Sequence, residues 1–85
     1  MKIDSNTHIE AKTGETIFAT DLYSKTSDSR VWVDINTGAV GWNCFGDFRP
    51  LRADVMAELT EELPGHIIEK TNKARIKKNQ ALFAG

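Results

Sequence analysis

Residues 30–42 read RVWVDINTGAVGW, and the way this stretch alternates decides the fold. Val31, Val33 and Ile35 share one face of an extended chain and Trp32, Asp34 and Asn36 the other, the period-two pattern of a half-buried strand. Asn36-Thr37-Gly38 interrupts it. A short hairpin loop that places Gly38 at positive φ returns the chain along residues 39–44 as the partner strand. The stretch AKTGETIF (11–18) has the same layout, with Gly14 at the turn, residues 16–23 as a strand rich in β-branched and aromatic side chains, and residues 8–12 as its shorter partner. Between the two hairpins SKTSDS (24–29) is small and polar throughout, an exposed connection.

Beyond Pro50 the period changes. Val55, Met56, Leu59 and Leu63 fall at helical spacing, and Asp54, Glu58, Glu61 and Glu62 fill the opposite side, so residues 51–63 are expected to form an amphipathic helix with a solvated acidic face. Pro64-Gly65 ends it. A second helix over 66–83 carries a mixed stripe of Ile68, Asn72, Ile76, Asn79 and Phe83, flanked by Ile67, Thr71, Ala74, Lys78 and Ala81. The expected fold is α+β in one domain over 1–85: an antiparallel β-meander of about four strands (8–45), then two C-terminal helices. Its core is drawn from Ile17, Ala19, Val31, Val33, Ile35, Val40, Val55, Met56 and Leu59, with Phe18, Leu22, Trp32 and Trp42 completing it.

Eighty-five residues, 40% of them apolar, fill one small core. Modest stability and self-association into a homodimer follow as expectations. One cysteine precludes an internal disulfide, and MKIDSNTHIE lacks the apolar core of a signal peptide. The cytoplasm is the expected location. No apolar run approaches the roughly 20 residues that span a bilayer, so no membrane partner is expected. The net charge of −1 conceals an asymmetry. Residues 1–69 hold six Lys/Arg against twelve Asp/Glu, whereas Lys70, Lys73, Arg75, Lys77 and Lys78 follow with no acid among them. These five are the candidate contacts for nucleic acid; the plainer reading is that they complement a helix C-terminus and the acidic body.

Chemistry is sparse. NCFGDF (43–48) holds Cys44 among aromatics with no neighbouring histidine, which reads as an inert thiol at a crowded corner where the sheet hands over to the helix. His8 and His66 stand too far from further ligands to suggest a metal centre or a triad. There is no phosphate loop, nucleophile elbow or dinucleotide fingerprint. No enzyme is expected, and no catalytic, cofactor-binding or metal-binding residue is assigned. The favoured function is a small regulator or inhibitor that covers a surface of a larger protein partner, with Ile76, Leu82 and Phe83 as apolar anchors. In size and lack of motifs the chain resembles phage-encoded inhibitors, anti-CRISPR proteins among them.

The alternative function is nucleic-acid binding through the basic last helix. Three strands followed by a helix, over residues 22–63 with Asn36-Thr37-Gly38 at a turn, resemble the arm-binding domain of phage integrases and the related AP2-type fold. That resemblance implies a sheet laid in the major groove. The strands depart from it in charge, since residues 16–44 set Lys25 and Arg30 against Asp21, Asp28 and Asp34.

Overall fold

NCFGDF makes a hairpin of its own. Phe45 and Gly46 both adopt left-handed backbone (φ 53° and 91°), and Cys44 pairs with Asp47 across them, so a two-residue loop of the primed type reverses the chain into a strand that the sequence did not reveal. The Asn43 side-chain oxygen accepts the Gly46 N–H at 3.0 Å and fixes the turn. The computed structural model describes the backbone of residues 1–84 and the side chains of residues 1–78. Its elements are β1 (Ile3–Glu10), β2 (Thr16–Ser24), β3 (Ser29–Asp34), β4 (Val40–Cys44), β5 (Asp47–Pro50), α1 (Ala53–Glu58) and α2 (Gly65–Ala84). The five strands form one antiparallel meander in the order of the chain. The α+β class is as expected, with one strand more. Because β5 stands between β4 and α1, the chain does not pass from three strands directly into a helix.

Gly14 and Gly38 take the positive φ that their turns require (105° and 84°). At the second turn Asp34 ends β3 one residue earlier than the alternation implies. Its buried carboxylate accepts the Asn36 N–H at 2.9 Å and the Thr37 hydroxyl at 3.0 Å, an Asx-type turn that turns the chain away. Ile35 therefore leaves the strand and is 49% exposed instead of joining the core.

Two irregularities bend the sheet. Between the pairs Ile3↔Thr20 and His8↔Phe18 strand β1 holds extra residues, which loop out over Asp4 as it accepts the Asn6 N–H and the Thr7 hydroxyl. Between Ala19↔Trp32 and Tyr23↔Arg30 strand β2 does the same. There the buried Thr20 hydroxyl donates to the Val31 carbonyl (2.7 Å) and accepts the Leu22 N–H (3.2 Å), so the bulge leaves no orphaned group at those atoms. The bent sheet rolls until its first and last hairpins touch: the Lys12 N–H donates to the Gly46 carbonyl at 2.8 Å, and the Phe48 N–H to the Thr13 hydroxyl at 3.1 Å.

Each face of the rolled sheet has its own apolar cluster. On one side Leu22, Val31, Val33 and Val40 pack against Leu51, Val55, Met56, Leu59, Leu63 and Ile67, with Phe18 and Trp42 at the margin. On the other Ala11, Ile17, Ala39 and Phe48 close together with Trp32 and Ala74. Of the expected core residues Ile35 is exposed and Phe18, Trp32 and Trp42 are half-buried at the margins; the others are buried, as are Phe48 and Leu51, which the sequence did not place inside.

Helix α1 is a single short segment within the expected 51–63. Leu51 is still tied to the sheet through its N–H to the Val40 carbonyl, and beyond Leu59 the chain tightens, with the Glu62 and Leu63 N–H groups both donating to the Leu59 carbonyl. Leu59 and Leu63 are buried all the same. Helix α2 faces the sheet with the row Ile67, Thr71 and Ala74; of the row through Ile68 and Ile76, Ile68 packs half-buried against the first cluster and Ile76 is exposed. The docking point is polar: the buried Thr71 hydroxyl accepts the Val40 N–H at 2.9 Å and donates to the Ile67 carbonyl at 2.8 Å.

The tightest place in the sheet is Gly41. A methyl carbon there would overlap the Arg49 carbonyl oxygen, stand 2.8 Å from its carbon and lie 2.9 Å from the Phe48 ring. Neighbouring backbone cannot yield as a flexible side chain would. Gly41→Ala is expected to destabilise the domain by ~3 kcal/mol or more, at the upper end of overpacking costs, read as a lowered urea midpoint with an unchanged slope.

Candidate functional site

Where β5 turns into α1 and α2 passes beside them, the surface sinks into an open groove of about 600 Å³. Trp42 of β4 forms one wall. Arg49 and Pro50 come from β5, Arg52 and Ala53 from the start of α1, Arg75 and Lys78 from α2, and Ser27 from the β2–β3 loop. Ser27, Trp42 and Arg49 also line a second hollow of about 350 Å³, so the depression continues past Ser29, Asn43 and Cys44 to Phe45 at the tip of the β4–β5 hairpin. Three arginines and a lysine line the two hollows, and among the described residues no carboxylate or histidine does.

The strand period explains how these groups meet. Trp42 and Arg49 are a direct cross-strand pair, so the indole and the guanidinium share one face, while Phe48 projects to the other and fills the second cluster. Arg49 is thus committed to the surface by the burial of its neighbour. Arg52 shares its charge with Asp54 in an exposed pair (Nε to Oδ1 3.3 Å, Nη2 to Oδ2 3.3 Å), a weak interaction that water screens. Lys78 donates to the Phe48 carbonyl and holds its ammonium 5.6 Å from the Phe48 ring centroid. Arg75 is half-buried, and its Nη1 is closed to solvent without a hydrogen-bond partner among the described residues. A shielded guanidinium nitrogen in that state favours any ligand that brings an acceptor.

The Ser27 side of the groove is held by Glu58. Its carboxylate accepts the Ser24 hydroxyl (2.9 Å), the Lys25 N–H (2.9 Å) and the Thr26 N–H (3.3 Å), while Ser24 in turn accepts the Ser27 N–H at 3.1 Å. SKTSDS is therefore a latched loop. The Thr26 hydroxyl and these partners pull the Glu58 carboxyl down to about 2, against a partly opposing desolvation. Asp54, Glu61 and Glu62 are exposed, the solvated face that the sequence implied.

The five cations of α2 separate into two rows. Arg75 and Lys78 face the groove. Lys73 is exposed and pairs with Glu69 one turn back at 3.2 Å, and Lys77 lines a different hollow that also contains Glu15 and Asp34; Lys78 borders this hollow as well as the groove. Lys70 is exposed beside Gly38. Among the apolar anchors, Ile76 is 52% exposed, two residues from Ala74 and five from Thr71, and so turned away from the sheet. Leu82 and Phe83 lie outside the residues whose side chains are described. Cys44 is half-buried at the edge of the second hollow, a free thiol whose strand partner is Asp47. His8 stacks on Phe18 with centroids 4.9 Å apart, and His66 is exposed in the first turn of α2.

Arg49, Arg52, Trp42 and Phe45 were not singled out as site residues from the sequence. The two arginines sit in FGDFRPLR, and Phe-Gly at a hairpin tip was the signal that would have extended the sheet across them. Neither the known protein families nor curated proteins nor solved structures offer a match to this chain.

The latch sets an acid sensitivity with a definite sign. The folded carboxyl of Glu58 titrates near 2 against an ordinary 4.5, so between these values the unfolded chain binds a proton that the folded one does not. Glu58 contributes its full stabilisation above about pH 4.5 and loses it as pH falls towards 2. The urea midpoint of Glu58→Gln should lie below that of the parent at pH 6, and the gap should close on acidification. Asp4, lowered by the Thr7 hydroxyl and the Asn6 N–H, and Asp21, lowered by the Lys2 N–H, titrate in the same direction in both proteins and cancel from the difference.

Proposed function

We propose that this chain is a non-catalytic nucleic-acid-binding module that holds a phosphate backbone in the groove between β5, α1 and α2. The observation that carries the reading is the run of Arg49, Arg52, Arg75 and Lys78 along one depression with no carboxylate among its described lining residues, in a chain whose net charge is −1. Basic side chains gathered where the rest of the surface is acidic create a local field that concentrates polyanions, and a guanidinium matches a phosphate with two parallel hydrogen bonds. With no acid–base pair in the lining, the groove suits retention and not turnover. Compared with the expectation from sequence, the contact moves off Lys73, which Glu69 offsets, and Lys77, which shares a hollow with Glu15 and Asp34, and onto Arg49, Arg52 and Arg75, with Lys78 standing between the two hollows. Acting in the cytoplasm, such a module would regulate by covering nucleic acid.

A larger protein partner or a second copy of the chain is the second reading, favoured by the exposed Ile76. Salt separates the two. About four phosphate contacts give an affinity for a labelled oligonucleotide that falls on the order of fifty-fold between 50 and 200 mM salt, measured by fluorescence anisotropy. Arg49→Gln with Arg75→Gln should weaken binding and flatten that salt slope, and Lys73→Gln should change little. Absence of binding at 50 mM salt, or loss of binding only on Lys70→Gln, Lys73→Gln and Lys77→Gln together, would remove the groove from the function.

A further inference from the structure

Phe45 is placed where folding alone gives no reason for a phenylalanine. It is 94% exposed at the tip of the β4–β5 hairpin, with φ at 53°, a conformation that costs a bulky side chain steric strain and that asparagine or glycine adopts readily. A large apolar side chain left in water gives up the stabilisation that burial would supply. Strain and exposure at one residue point to contact with something outside the chain. The neighbours say what kind. Phe45 lines the same hollow as Trp42 and Arg49, and that hollow runs on to Arg52, Arg75 and Lys78, so two aromatic side chains and four cations line one path with no carboxylate among its described lining residues.

Resting on the reading of the groove as a nucleic-acid site, we infer that the ligand is a single strand, with unpaired bases stacked on Phe45 and Trp42 while its phosphates run past Arg49, Arg52, Arg75 and Lys78. A duplex offers its bases only by their edges and keeps their faces inside the stack, so aromatic side chains gain nothing from it without unstacking. A single strand presents every face. Stacking of this kind tolerates any sequence, and a cationic channel with aromatic steps is the general architecture that binds it. The size agrees, since hollows of about 600 and 350 Å³ lie in the range that encloses small ligands and suit a few splayed nucleotides.

The test compares a labelled oligo(dT) 12-mer, a hairpin duplex of the same charge and a poly-glutamate 12-mer against the full chain at 100 mM salt. The single strand should bind at least about tenfold more tightly than either competitor and quench the fluorescence of Trp42, isolated in a Trp32→Phe background. Phe45→Ala should weaken single-strand binding about tenfold without altering its salt slope. Phe45→Asn gives the readout that a merely structural role would not: thermal stability rises because asparagine accepts the left-handed turn, while single-strand affinity falls as for alanine. Equal affinity for strand and duplex, or full affinity in both Phe45 variants, would overturn the single-strand inference and leave the phosphate groove standing. Failure of both nucleic acids to bind, or preference for the acidic peptide, would overturn the groove reading itself.

Discussion

The close passage of β5 over Gly41 is the constraint on which the rest of the structure depends. Because Gly41 has no side chain, the Arg49 carbonyl and the Phe48 ring settle directly against it, and the last strand can cross β4 at short range. That crossing turns Phe48 into the second apolar cluster, brings the Gly46 carbonyl to the Lys12 N–H, and leaves Arg49 beside Trp42 on the opposite face. One missing methyl group thus sets the roll of the sheet and the position of the groove.

Around this centre, polar side chains do work that a larger core would do elsewhere. A chain of 85 residues divides its apolar side chains between two clusters, neither of them large. Thr20 closes the bulge in β2, Asp34 closes the β3–β4 turn, Thr71 anchors α2 to the first residue of β4, and Glu58 latches the β2–β3 loop. Each satisfies backbone donors or acceptors that bent strands and tight turns would otherwise leave unpaired. Among the described residues α2 meets the cluster beneath α1 at Ile67 and Ile68 and the second cluster at Ala74, a narrow apolar contact along the helix.

The charge distribution takes its meaning from the same geometry. Along the chain the cations look like a tail behind an acidic body. In space Asp54 pairs with Arg52 and Glu58 turns back to the β2–β3 loop. Lys73 and Lys77 stand near carboxylates, with Lys78 beside Lys77, and Arg49 and Arg75 line a hollow with no carboxylate among its described residues. An overall charge close to zero therefore coexists with a basic depression, because opposite charges are segregated by element and face.

The sequence by itself determined the α+β class, the two Thr-Gly hairpins, the change of period after Pro50 and most of the core, because each is written in local alternation or in a turn residue with one strong conformational preference. It left β5 unread, since four residues ending in proline carry too short a period and Phe45 disguises a turn that asparagine would have announced. It also carried Ile35 into the core, because alternation does not record that a buried aspartate has already ended the strand. The site was legible only in Arg75 and Lys78. Arg49, Arg52, Trp42 and Phe45 join them through strand pairing and the roll of the sheet, contacts between positions far apart in the chain. Tertiary structure alone decided which of the scattered cations face one another.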